Sequence, residues 1–238
     1  MTLSSTGRQW RWLVLVAAMA AAAAATVLLS TGRSGANAGE MPAMTAGQMA
    51  AMSHTSEVSA KEAALQTSMD KLWEDHINWT RQVIVSFAAG LPDLKPAEAR
   101  LLRNQTDIGN AIKPYYGNAA GAKLTDELRA HIQIAAEVIA AAKAGDEDKL
   151  AAAQARWAQN ADDIAAVLAS VNPRFWKLGE LKAEMQMHLK LTTAEAVDHL
   201  QGKWTADVAD YDAVHRHILH MSDLLAAGIV DQFPGRFR

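Results

Sequence analysis

Six stretches of this chain carry apolar residues at steps of three and four, and none carries them at steps of two. A period near 3.6 gathers apolar side chains on one face of a helix, whereas a period of two would mark strands. From Val58 to Ala89 the stripe is Leu65, Leu72, Trp73, His76, Trp79, Val83 and Phe87, ended by Gly90 and Pro92. The spacing predicts further helices from Pro96 to Lys113, Thr125 to Ala144, Asp146 to Val171 and Phe175 to Leu189. Thr192 and Glu195 read as a capping box, which starts a sixth helix running to Val230. About a fifth of the residues are alanine, which loses no side-chain entropy in a helix. The expected fold is therefore all-α: an antiparallel helical bundle of about six helices with short loops, spanning residues 59–238.

The residues before it read differently. Arg8 and Arg11 precede an apolar run from Leu13 to Leu29. That run of about 17 residues is at the lower limit for crossing a hydrocarbon core. Positive residues ahead of it hold the N-terminus in the cytoplasm and send the remainder out. Ala36, Asn37 and Ala38 fit the small-x-small pattern of a signal-peptidase site. Residues 1–38 are thus a signal peptide or an N-terminal membrane anchor, and both readings place the body outside the cytoplasm. Residues 39–58 read as a flexible linker rich in methionine.

The chain has no cysteine, which excludes disulfides, thiolate metal sites and cysteine nucleophiles. A net charge of -3 argues against a nucleic-acid binder. There is no glycine-rich phosphate loop, no Gly-x-Ser-x-Gly elbow and no His-Glu-x-x-His motif, so nucleotide-dependent and common hydrolytic chemistries lack their usual residues.

What the chain does offer is soft and borderline ligands. Met41, Met44, Met49 and Met52 lie in the linker, just before His54. A thioether is uncharged and suits Cu(I). In the bundle, His76 lies between Trp73 and Trp79, His131 follows Glu127 by one turn, and His188 follows Glu184 by one turn. Three inward histidines from three helices would make a metal site, with each glutamate sharing the ion or orienting an imidazole. His215, His217 and His220, with Asp212 and Met221, form a second candidate set for a transition metal, copper favoured. His199 is isolated and reads as a surface residue. A third candidate is a polar cavity lined by His76, Trp79, Asp107 and Asn110, opened by Gly109; Asn160 and Asp163, near Trp157, are a similar polar set.

The strings Leu72-Trp73-Glu74-Asp75-His76, Asn104 with Asp107-Ile108-Gly109-Asn110, Lys113-Pro114-Tyr115-Tyr116-Gly117, His188-Leu189-Lys190-Leu191-Thr192 and Gly228-Ile229-Val230-Asp231-Gln232-Phe233-Pro234 resemble a family of bacterial exported helical proteins without an established activity. The resemblance runs from Leu72 to Pro234. It implies a shared helical fold and a shared site at His76, His131 and His188. Its members often carry names such as acetylglutamate kinase or glycosyltransferase, and no residues here support either chemistry. Three functions remain open: an envelope bundle holding a metal ion, a structural or sensory envelope module, and an enzyme using the His76/Asp107/Asn110 cavity.

Overall fold

Ser59 starts the first helix by satisfying two backbone groups at once. Its hydroxyl accepts from the Glu62 amide at 3.2 Å, and its own amide donates to the Glu62 carboxylate at 2.8 Å. The helix, α1, runs Ala60–Ala89 and stops at Gly90, whose φ of 66° belongs to the left-handed region. The computed structural model describes residues 58–238. The signal or anchor segment and the linker methionines lie outside the described residues. Within those residues the chain is all-helical, with no strand, and no helix is long and apolar enough to cross a membrane.

The next element, α2, spans Leu94–Ala144 and is interrupted at Gly117, where φ is 84° and ψ 168°. Gly109 and Gly121 show what happens there. Twelve residues apart, they would stand about 18 Å apart on a continuous helix. Instead, a Cβ added to Gly109 would sit 2.6 Å from the Gly121 carbonyl oxygen. The chain folds back at Gly117, so the two halves of α2 lie against each other with glycine on both sides of the crossing. Arg129 Nη1, donating to the Leu102 carbonyl at 3.1 Å, continues the same pairing. The helix expected to end at Lys113 runs through Pro114 to this reversal, and the one expected from Thr125 begins just after Gly117.

Three more helices complete the bundle. Asp146 caps α3 (Glu147–Val171) by accepting from the Lys149 amide. Asn172 ends it and is fully buried; its side-chain amide donates to the Gly228 carbonyl at 2.8 Å, tying the end of α3 to the last helix. Then come α4 (Leu178–Leu200) and α5 (Trp204–Gln232), followed by a single 3-10 turn at Pro234–Arg236. The expected boundary at Thr192 is absent. Thr192 and Glu195 are buried inside α4, and the helix continues to a turn at Gln201–Lys203, where Gly202 has φ 71°. The described residues thus hold five helices, the second of them doubled back at Gly117 into two helical halves. The helix-to-helix pairings place His76 on α1, His131 on the second half of α2, His188 mid-way along α4 and His217 on α5.

The glycine crossing gives a direct test. In Gly109→Ala the new methyl would lie 2.0 Å from Thr125 Oγ1 as well as against the Gly121 carbonyl. Thr125 can rotate; a backbone carbonyl cannot. Alanine gains about 1 kcal/mol in helix propensity, but overpacking costs about 1–3 kcal/mol. Net destabilisation of up to about 2 kcal/mol is expected from the urea midpoint, and a higher midpoint would show that the crossing opens freely.

Candidate functional site

Three imidazoles from three helical segments gather around that of His188 on a fourth. The ring of His188 lies 5.8 Å from that of His76, 6.1 Å from His131 and 6.2 Å from His217, measured between ring centres. Trp73 meets His76 edge-on and Trp157 covers His131, with ring centres 5.3 Å apart in the second pair. His76, His131 and His188 are each 3% exposed. An apolar interior disfavours the imidazolium. Burial pushes His76 down to about 3, with His131 adding to the effect. Burial takes His131 to about 4 against the bond to Asn160. His188 falls well below its ordinary value through burial first and then through its neighbours His76, His131 and His217. All three are neutral at pH 7, the form that ligates metals.

Hydrogen-bond partners fix the tautomers. Asn160 Oδ1 can only accept, so His131 donates from Nδ1 at 2.9 Å and keeps its Nε2 lone pair. Asn160 is itself anchored: its amide nitrogen donates to the Glu127 carbonyl at 3.1 Å and to the Glu127 carboxylate at 3.2 Å. Glu127 thus orients His131 through Asn160. The Gln105 amide nitrogen donates, so His76 Nδ1 accepts from it, at 3.2 Å. That nitrogen also faces the Leu101 carbonyl and Asn104 Oδ1, which leaves it two hydrogens for three acceptors. Among the described residues His188 Nδ1 finds no partner, nor do Trp73 Nε1, Gln105 Oε1, Trp157 Nε1 or Thr192 Oγ1. Asn160→Ala removes the support of His131 and leaves the Glu127 carbonyl without this donor. A loss of about 1–3 kcal/mol in thermal or urea unfolding is expected, and an unchanged midpoint would show that His131 is positioned by packing alone.

The other expected site residues fall elsewhere. His215 turns outward to Glu74, 3.1 Å from its carboxylate. His220 is exposed and faces Glu184. Only His217 of that set approaches the buried cluster, while Met221 is a core residue and Asp212 is exposed. Glu184 serves His217 and His220, not His188. On α2 the inward polar residues are Asn104 and Gln105; Asp107 is half-buried and Asn110 faces solvent, so these two do not share a buried cavity with His76. Trp79 packs beside Val83, Ala97, Leu101 and Ile132, with the Arg100 guanidinium 5.2 Å from its ring centre. Asp163 is exposed, whereas Asn160 joins His131.

A second polar centre was not visible in the sequence. Arg81 donates to Glu195 at 3.0 Å and to both oxygens of Asp207, one at 2.7 Å. His199, expected on the surface, donates from Nδ1 to Asp207 at 2.9 Å. Glu195 and Asp207 are each 1% exposed. Burial raises Glu195 to about 7 despite Arg81. Burial would raise Asp207 too, but Arg81 and His199 outweigh it and hold that carboxyl below its ordinary range. In the sequence Glu195 stands out only by its spacing within the supposed capping box, and His199 only as an isolated histidine.

As they stand, no three histidine, aspartate or glutamate side chains among the described residues are drawn tightly enough around one point to hold a metal ion. Imidazole–metal bonds of about 2.0–2.1 Å, as for zinc, set ring centres about 5 Å apart in a tetrahedral site. The rings around His188 are wider than that by about an ångström. Compared with protein-family profiles, curated proteins and solved structures, the chain matches none.

Proposed function

We propose that this is an exported or membrane-anchored protein of the cell envelope. Its antiparallel helical bundle takes up a transition metal ion, copper favoured, between His76, His131 and His188. The carrying observation is the gathering of two buried imidazoles, His76 and His131, around a third, His188, whose Nδ1 finds no partner among the described residues. Buried polar atoms are usually partnered, and an orphan among imidazoles is a place for an ion. Asn160 and Glu127 hold His131 in the tautomer that leaves Nε2 free, the arrangement that metal-bound histidines commonly show. Loading closes the three rings by about an ångström. The tether methionines Met41, Met44, Met49 and Met52 favour copper, because thioethers bind Cu(I). Arg8, Arg11 and the Leu13–Leu29 run support export, with the membrane as partner if that run is retained. The resemblance to exported bacterial helical proteins is in keeping with both.

The test is metal analysis of the full chain after exposure to Cu(I), Cu(II), Zn(II) and Fe(II) and desalting. Retention of about one ion per chain, lost in His188→Ala and in His131→Ala variants whose circular dichroism remains helical, is expected. Folded protein that retains no metal overturns the reading and leaves an envelope bundle with packed histidines.

A further inference from the structure

One end of the helical domain gathers four pieces of chain. Lys61, in the first turn of α1, donates to the Arg238 carbonyl at 2.7 Å. Arg236 donates to the Pro114 carbonyl at 2.7 Å, just before the Gly117 reversal. Asn172, at the end of α3, donates to the Tyr116 hydroxyl at 3.2 Å. Exposed on these pieces are the cations Lys61, Arg174, Lys177, Arg236 and Arg238. Their contacts are rings and backbone carbonyls. The Arg174 guanidinium lies 5.1 Å from the Phe175 ring centre and that of Arg236 5.0 Å from Tyr115, while Lys177 donates to the Pro173 carbonyl at 3.1 Å. Such contacts fix the side chains and leave their charge available to an anion. Among the described residues the exposed carboxylates on the same pieces are Glu180 and Asp231; Glu62 is spent on the α1 cap. Beside the cations stand Leu178, which is 44% exposed, and the half-buried Phe175.

The other end, where Lys143 meets the Phe87 carbonyl, has the reverse balance. Carboxylates outnumber lysines there, among them Asp93, Glu147, Asp148, Asp198 and Asp210. A domain charged in this way turns its basic end toward an anionic surface. Two features choose that surface. The chain passes from the Leu13–Leu29 run into α1, and α1 starts at the basic end. Lysine and arginine beside exposed apolar and aromatic side chains is also the composition of interfacial membrane contacts.

We infer that the end bearing Arg174, Lys177 and Arg236 docks on the anionic headgroups of the bilayer outside the cytoplasm, seating Leu178 at the headgroup boundary. Lipid phosphates suit the planar fork of arginine. The choice of a bilayer rests on the export reading above; the charge polarity of the domain does not.

The chain has no cysteine, so Leu178→Cys and, at the opposite end, Leu91→Cys each create one labelling position for an environment-sensitive NBD fluorophore. The labelled full chain is floated with vesicles of phosphatidylcholine alone, or with about a third phosphatidylglycerol to supply the negative surface. On the anionic vesicles the Leu178 label is expected to brighten about twofold or more, and the Leu91 label to stay as it is in water. Arg174→Glu combined with Lys177→Glu should remove the gain in protein that remains helical by circular dichroism. About 0.5 M salt should remove it from the parent sequence, with no substitution at all. A Leu178 label that ignores phosphatidylglycerol, or a Leu91 label that brightens equally, overturns the inference. Flotation on the neutral vesicles reports separately on the anchor. Protein that floats there without a Leu178 response to phosphatidylglycerol keeps the anchor and loses the docking. Protein that floats only on anionic vesicles, with the Leu178 response, keeps the docking and loses the anchor. Protein that floats on neither overturns both.

Discussion

Lowering the pH from 7.5 to 5 is expected to remove about 4 kcal/mol from the stability of the metal-free protein, and unfolding should follow as the pH falls further. His76, His131 and His188 carry the effect. In the unfolded chain each titrates near 6.5; in the folded protein burial holds His76 at about 3, His131 at about 4 and His188 well below its ordinary value. Below pH 6.5 the unfolded chain binds protons that the fold refuses. Stability therefore falls as pH falls, by up to about 1.4 kcal/mol per pH unit for each histidine, until the folded values are reached. Three such groups spend a stability that for an ordinary domain totals about 5–15 kcal/mol. Glu195 acts with the opposite sign: its raised value means that folding gains as pH drops through about 7. Between about pH 7 and pH 4.5 it returns part of the loss, about 2 kcal/mol by pH 5 against about 6 from the three histidines. Helical circular dichroism against pH, with proton uptake from potentiometry, should show a cooperative transition taking up about two protons net, about three at the histidines less the one that Glu195 releases. A helical signal that persists to pH 3 would sink the claim. His188→Leu should make the transition shallower, because one titrating group is gone.

Arg81→Ala should cost about 3–5 kcal/mol at pH 8. The guanidinium is the partner of two carboxylates that are each 1% exposed, and removing it leaves buried charge uncompensated. Two features separate this from simple loss of packing. The cost should shrink toward pH 6, since Glu195 accepts a proton there and only Asp207, still held by His199, remains charged. The Arg81→Ala, Glu195→Gln double variant should recover part of the loss at pH 8. Urea midpoints at the two pH values measure both. A cost that is the same at pH 6 and pH 8 would show that Glu195 does not titrate in this range.

The helical stripes were legible because burial in this bundle follows the 3.6-residue period closely. Of the predicted stripe on α1, Trp73, His76 and Val83 are buried and Leu65, Leu72, Trp79 and Phe87 partly so, while Met69, Ile77 and Ile84 complete the inward face; the inward placement of His76, His131 and His188 followed from the apolar neighbours on each helix. Register within a polar stretch was not legible. In Asn104-Gln105-Thr106-Asp107-Ile108-Gly109-Asn110 the burial decision falls between residues of nearly equal polarity, and packing on α1 selects Asn104 and Gln105. Thr192 and Glu195 match a capping pattern in spacing alone. In the fold Glu195 is spent on Arg81, a partner 114 residues away that no local pattern reveals. The carboxylates of the Arg81 centre, and His217 beside His188, are legible only once the helices are laid side by side.

The histidine cluster draws its members from α1, the second half of α2 and α4, with α5 supplying the rim. None of these segments can peel away alone without uncovering apolar faces of the others, so the cluster belongs to the most cooperative part of the domain. In hydrogen-exchange language it opens only with the whole fold. Nothing reaches His188 by the fraying of a loop or a helix end. Traffic between solvent and the buried imidazoles, whether of protons or of ions, has to run along side chains while the helices stay closed.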